Sequence, residues 1–165
     1  MGELLRRDYD AQLADRNTQG YDVLVGHAGE SQLRKVQVKT VRTPPWFVKQ
    51  RDFTPGHDVP ITIYVLLGPS SARQLVCYFI APNAALGSAL HVPPNGRWPA
   101  NGFMPLKALL FYENAWHLIF ENNGKPSSRL YQPSASRLRN WLISLNRCLM
   151  TGSYRMTRFK LLGPL

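Results

Sequence analysis

Two β-rich runs placed close together between Gly20 and Thr40 limit what this chain can fold into more than any other stretch. Tyr21–Val25 and Leu33–Val41 are rich in β-branched residues, and Gly26-His-Ala-Gly-Glu-Ser31 between them has the glycines and polar residues of a hairpin connection. Two antiparallel strands are the simplest arrangement. Side chains alternate along a strand, so Lys35, Gln37 and Lys39 are predicted on one face and Val36 and Val38 on the other, with the valines towards a core. Such a hairpin carries Asp22 towards Gln37 and Lys39. A carboxylate, an amide oxygen and an ammonium then share one small area.

The rest of the chain supplies more sheet. Ile61–Leu67 and Leu75–Ile80 are short apolar runs bounded by Pro60, Gly68-Pro69 and Pro82, and they predict two further strands. Continuous apolarity implies cover on both faces, and helices are expected to supply it. Glu3–Arg7 reads as the end of a helix, and Tyr9–Leu13 leads into the sheet. Arg42–Arg51 is predicted to leave the sheet as a basic loop through Pro44 and Pro45, with Trp46 either stacking on a ligand or plugging the core edge. Residues 82–90 predict a helical turn or two. Proline and glycine punctuation makes 91–104 a loop, and Pro105 opens a partly helical segment to Trp116. Residues 117–120 read as a last short strand or a continuation of that segment.

Residues 122–128 read as a linker, which divides the chain into a core, 1–120, and a C-terminal extension, 121–165, packed on the same domain. In the extension Leu138, Trp141, Leu142, Leu145 and Leu149 follow the spacing of an amphipathic helix capped by Ser134 or Ser136. That stripe is suited to packing on the sheet or on a second subunit, which leaves a homodimer open.

A chain of 165 residues with 44% hydrophobic content can bury a sizeable core. Its charge is uneven. Up to Phe120 there are 12 basic and 9 acidic residues, a net +3, whereas from Glu121 onward there are 8 basic and 1 acidic, a net +7. An excess of this kind favours a polyanion as partner, nucleic acid before a membrane surface. No apolar run approaches the roughly 18 residues of a membrane helix, and no membrane partner is expected. Cys77 and Cys148 lack C-x-x-C spacing and read as buried thiols of a reducing compartment, and the early charges of Met1–Arg7 argue against a secretory signal, so a cytoplasmic location is expected. His27, His57, His91 and His117 lack metal-ligand spacing and read as solvated or core histidines.

Asp22, a short spacer and Gln37-x-Lys39, preceded by Arg-Asn-Thr-Gln-Gly-Tyr and followed by Trp46, resemble the PD-(D/E)XK nuclease superfamily. The likeness spans residues 4–120 and is greatest to its small bacterial restriction-endonuclease-like and Holliday-junction-resolvase-like branch. It implies an α/β (α+β) fold with a restriction-endonuclease-like mixed central sheet of four or more strands flanked by helices. It also implies a metal-dependent DNA endonuclease. Asp22, Gln37 and the Val38 carbonyl would hold Mg²⁺ or Mn²⁺, and Lys39 would act on the attacking water. Arg42, Trp46, Lys49, Arg51, Arg155, Arg158 and Lys160 would bind DNA. Gln37 stands where most of the superfamily has a carboxylate and parts of it have glutamine, and Glu3 and Glu30 are the candidates to restore the missing charge. The alternative is a nuclease-fold module without activity that binds DNA or a protein partner.

Overall fold

The structure, a computed structural model, describes residues 1–15, 18, 20–27, 32–68, 76–93 and 100–120. Among these the elements run α1 (Gly2–Leu5), β1 (Tyr9–Leu13), β2 (Val23–His27), β3 (Arg34–Val41), β4 (Trp46–Lys49), β5 (Ile61–Leu67), β6 (Val76–Pro82), α2 (Asn83–Leu86), β7 (Asn101–Met104) and α3 (Leu106–Leu109), with single 3-10 turns between several of them. Five strands form a mixed sheet in the order β1-β2-β3-β5-β6, while β4 and β7 pair as a separate antiparallel ribbon. Every pairing in the sheet is antiparallel except β3 with β5, which run parallel from Val36 opposite Ile61 to Val41 opposite Leu66. The architecture is α+β around a mixed central sheet.

The expected hairpin is present, with Val23 opposite Val36 and Val25 opposite Arg34. Its boundary moves. Gly26 and His27 belong to β2, where they pair with Asp10 and Tyr9 of the edge strand β1. Val23, Val25, Val36, Ile61, Ile63, Val65 and Ile80 build one face of the sheet, and Leu4, Trp116 and Ile119 close it. Val38 packs partly against this cluster, as the alternation along β3 requires.

The opposite face is covered differently from expectation. Each of the three helices is only four residues long, so no long helix lies on the sheet among the described residues. The β4–β7 ribbon provides cover instead. Trp46, Val48 and Met104 point inward and are buried, and the Trp46 ring meets Tyr64 and Phe79 edge-on at centroid distances of 5.6 and 6.0 Å. The basic loop predicted for 42–51 is therefore strand from Trp46 to Lys49, and the loop predicted for 91–104 ends in a strand. The prolines misled here because Pro44 and Pro45 lie before β4 and never need to donate to its ladder. Beyond α3 the helical pattern breaks into a 3-10 turn at Leu110–Tyr112, and Asn114 takes a positive φ of 53°. Residues Trp116–Ile119 form another 3-10 turn, neither a strand nor a continued helix. Cys77 is half-buried, not fully buried as expected. Cys148, the linker and the leucine stripe lie outside the described residues.

The ribbon depends on one small residue. Gly102 pairs with Val48 and faces inward, where a Cβ would stand 2.8 Å from Leu90 Cδ1 and 3.1 Å from the His91 carbonyl oxygen. Overpacking a fitted contact of this kind typically costs about 1–3 kcal/mol. Gly102→Ala is expected to lower the unfolding free energy by that amount, seen as a lower urea midpoint with an unchanged slope, while Gly2→Ala, where a Cβ meets nothing within 4 Å, is expected to leave the midpoint in place.

Candidate active site

Asp22 stands just before β2 and is tied to β3 by its own backbone, its N–H donating to the Val36 carbonyl at 3.0 Å. Its exposed carboxylate then reaches one residue further. Asp22 Oδ2 accepts the Val38 N–H at 2.7 Å. The N–H and C=O of a strand residue point to the same edge, so the Val38 carbonyl also lies on the Asp22 side of β3. Gln37 is turned by a second local contact. Its Nε2 donates to the carbonyl of Gly20 at 3.4 Å, which leaves Oε1 as the end of the amide that can act as a ligand. Gly20 has a φ of 101°, a left-handed conformation that favours glycine. Half-buried Lys39 follows two residues on from Gln37, on the same face.

The floor beneath these residues is polar and closed. In the parallel register Gln37 lies opposite Thr62 and Lys39 opposite Tyr64. Thr62 Oγ1 donates to Asn83 Oδ1 at 2.7 Å, and Asn83 Nδ2 donates to the Val59 carbonyl at 2.9 Å, so both buried side chains are satisfied. Trp46 clamps the strands at the level of Lys39. Its Nε1–H is shared between the Lys39 carbonyl at 3.0 Å and the Val65 carbonyl at 3.3 Å. Those two acceptors belong to the neighbouring strands β3 and β5.

Asp52 joins this floor, although nothing in the local sequence singled it out. It lies in the 3-10 turn Gln50–Phe53 and is only 5% exposed. His57 Nε2 is 3.8 Å from its Oδ1 and Arg51 Nε is 3.9 Å away. His57 Nδ1 faces the Val59 backbone, 3.2 Å from its N–H nitrogen and 3.4 Å from its carbonyl oxygen, which turns Nε2 towards Asp52. Burial pushes the Tyr64 phenol far above its ordinary value, the Thr62 side chain beside it works against that rise, and the Asp52 carboxylate adds to it. The Tyr64 hydroxyl is buried without a hydrogen-bond partner among the described residues.

The other expected site residues fall into four groups. Arg42, Lys49 and Arg51 are exposed, as cations meant for a polyanion must be. Trp46 is not: it is fully buried, so it plugs the core edge and offers no ring for stacking. Strand alternation turns its neighbour Phe47 outward instead, 48% exposed. Glu3 is engaged by ion pairs with Arg6 and Arg7, and α1 packs through Leu4 on the valine face, opposite Gln37 and Lys39. It supplies no charge to the site. Glu30, Arg155, Arg158 and Lys160 lie outside the described residues.

Divalent magnesium or manganese takes oxygen ligands, and Asp22, Gln37 Oε1 and the Val38 carbonyl are all oxygens. The donor set fits such an ion in type, with a single carboxylate. Among the described residues no three His, Cys, Asp or Glu side chains gather in one place. No helix among them is long and apolar enough to cross a membrane.

No known protein family and no curated protein sequence matches this chain. Several chains of solved structures resemble its fold distantly, among them two nucleases. The bacterial homing endonuclease I-Ssp6803I is 19% identical over 72% of this chain and 81% of its own, with a TM-score of 0.44. Hjc, a Holliday junction resolvase from Archaeoglobus fulgidus, is 13% identical over 66% of this chain and 86% of its own, with a TM-score of 0.40.

A buried hydroxyl without a partner costs about 1–3 kcal/mol. Tyr64→Phe removes it while keeping the ring against Trp46, and is expected to raise stability by up to that amount. Urea unfolding of the two proteins checks this, and a loss of stability would mean that the hydroxyl has a partner.

Proposed function

We propose that the protein is a divalent-metal-dependent DNA endonuclease of the PD-(D/E)XK superfamily, in the branch that carries glutamine in the motif. One observation carries the proposal. The 2.7 Å bond from the Val38 N–H to Asp22 Oδ2 holds the carboxylate against the Gln37-Val38-Lys39 tripeptide, where phosphodiester hydrolysis needs a metal ligand and a cation side by side. The positive charge of the chain and the exposed Arg42, Lys49 and Arg51 support DNA as the substrate.

Asp22, Gln37 Oε1 and the Val38 carbonyl would hold the ion. When bound, Mg²⁺ or Mn²⁺ stabilises charge on the scissile phosphate and lowers the pKa of a water. Asp22 has a second task, because the same carboxylate fixes the Val38 N–H and with it the direction of the tripeptide. Lys39 sets the position of the attacking water or neutralises the charge that develops on the phosphate, from a strand that Trp46 holds still. Arg42, Lys49 and Arg51 hold the backbone through phosphate contacts that carry no sequence information. The basic arm with Arg155, Arg158 and Lys160 extends that grip. A cytoplasmic location and a homodimer through the leucine stripe complete the proposal.

The single carboxylate at the site favours a second possibility, a module that keeps the fold and binds DNA or a protein without cutting. Cleavage of supercoiled plasmid and of a branched DNA separates the two. With Mg²⁺ or Mn²⁺ the wild type is expected to cut, and EDTA to stop it. Asp22→Asn, which keeps an acceptor for Val38 but removes the charge, and Lys39→Ala should each lower the rate by about 10²-fold or more. Cutting that survives Asp22→Asn or EDTA contradicts the proposal. DNA binding without any cutting assigns the chain to the binding module.

A further inference from the structure

The outward face of the β4–β7 ribbon has a composition that core packing does not explain. Its two rungs pair Phe47 with Phe103 and Lys49 with Asn101, while Trp46, Val48, Gly102 and Met104 fill the inward face. Phe47 is 48% exposed, and the two phenylalanine rings meet edge to face at 5.5 Å. His91 extends the row. It pairs with Phe103 through two backbone bonds of 2.9 and 3.0 Å, and directly opposed residues share a face. Phe47, Phe103 and His91 thus form an aromatic row across three backbone segments, with a lysine and an amide on the adjoining rung.

The exposed charge on the described parts of these segments is positive. Residues 42–51, 90–93 and 100–107 contain Arg42, Lys49, Arg51 and Lys107 and no acidic residue, and the neighbouring Asp52 is buried beside Arg51. Flat rings beside cations are the parts with which proteins hold unpaired nucleobases, since each base has a π-face to stack and each phosphate a charge to neutralise. A paired duplex presents only its edges and backbone to such a surface. Asn101 adds donors and an acceptor suited to a base edge.

We infer that the outward face of the β4–β7 ribbon stacks unpaired bases, so that the DNA this protein acts on is branched or partly single-stranded. The inference rests on the nuclease proposal for its substrate but not for its geometry. Phe47 and Phe103 bind the bases, and Lys49 and Arg51 the adjoining phosphates.

The test measures affinity in EDTA, by fluorescence anisotropy of the full chain, for a fork with unpaired arms and for a duplex of equal length. Wild type is expected to prefer the fork. Phe47→Leu and Phe103→Leu keep an apolar side chain but lose the π-face, and each should weaken fork binding by about 10-fold while changing duplex binding by less than about 2-fold. Phe47→Trp should retain fork affinity. Equal affinity of wild type for fork and duplex, or leucine variants that bind both as wild type does, would overturn the inference. So would leucine variants that lose binding to vesicles of anionic lipid while keeping DNA affinity, because the face would then belong to a membrane. The two proposals fail separately. If Asp22→Asn cuts like wild type while the leucine variants lose the fork, the nuclease assignment falls and the stacking face stands. If Asp22→Asn abolishes cutting and the leucine variants change nothing, the reverse holds.

Discussion

Six of the seven residues of β5 are buried, and its neighbours β3 and β6 are hydrogen-bonded to it along their length, so this strand has no side left for water. A strand in that position requires a layer on each face. One layer comes from α1 and the turn at Trp116–Ile119, the other from a ribbon that starts within five residues of the end of β3. The parallel pairing of β3 with β5 is what requires a crossing chain between them, and the chain uses that crossing to lay β4 over the sheet. Cover and connection are the same segment.

That economy has a chemical consequence. Trp46, the first residue of β4, buries its ring on Tyr64 and Phe79 and spends its one donor on the carbonyls of Lys39 and Val65. Truncating a buried tryptophan of this kind typically costs about 3–5 kcal/mol, so the contact that holds the Lys39 backbone is also one of the larger contributions to the fold. On the other side of β3, the Asp22 carboxylate holds Val38. The tripeptide from Gln37 to Lys39 is therefore fixed from both of its edges, and the side chains of Gln37 and Lys39 project from a rigid strand rather than from a loop.

How much of this was legible before the structure can be judged residue by residue. The hairpin, the inward valines and the approach of Asp22 to β3 at Val38 follow from strand alternation and one turn, all local. The strands β5 and β6 were visible as apolar runs between prolines. What escaped was non-local. β4 and β7 are four residues each, too short for a period to stand out, and both sit among prolines that read as loop. Each becomes a strand only because the other lies beside it. The same pairing decides that Trp46 points in and Phe47 out, a choice that a single-residue shift would reverse. Asp52 was invisible for a related reason: a lone aspartate after an arginine reads as surface, and only the close approach of His57 and the burial of Tyr64 make it part of the floor.

The central claim is that Asp22 and the Gln37-Val38-Lys39 tripeptide form a single divalent-ion site. Mn²⁺ titration followed by ¹⁵N NMR of the full chain tests it without any need for turnover, because a bound paramagnetic ion broadens the signals nearest to it. Trace Mn²⁺ should broaden the amides of Asp22, Gln37, Val38 and Lys39 first in the wild type, and those four should stay sharp in Asp22→Asn. Broadening that centres elsewhere on the molecule, or that is unchanged in Asp22→Asn, would show that these residues do not hold the ion.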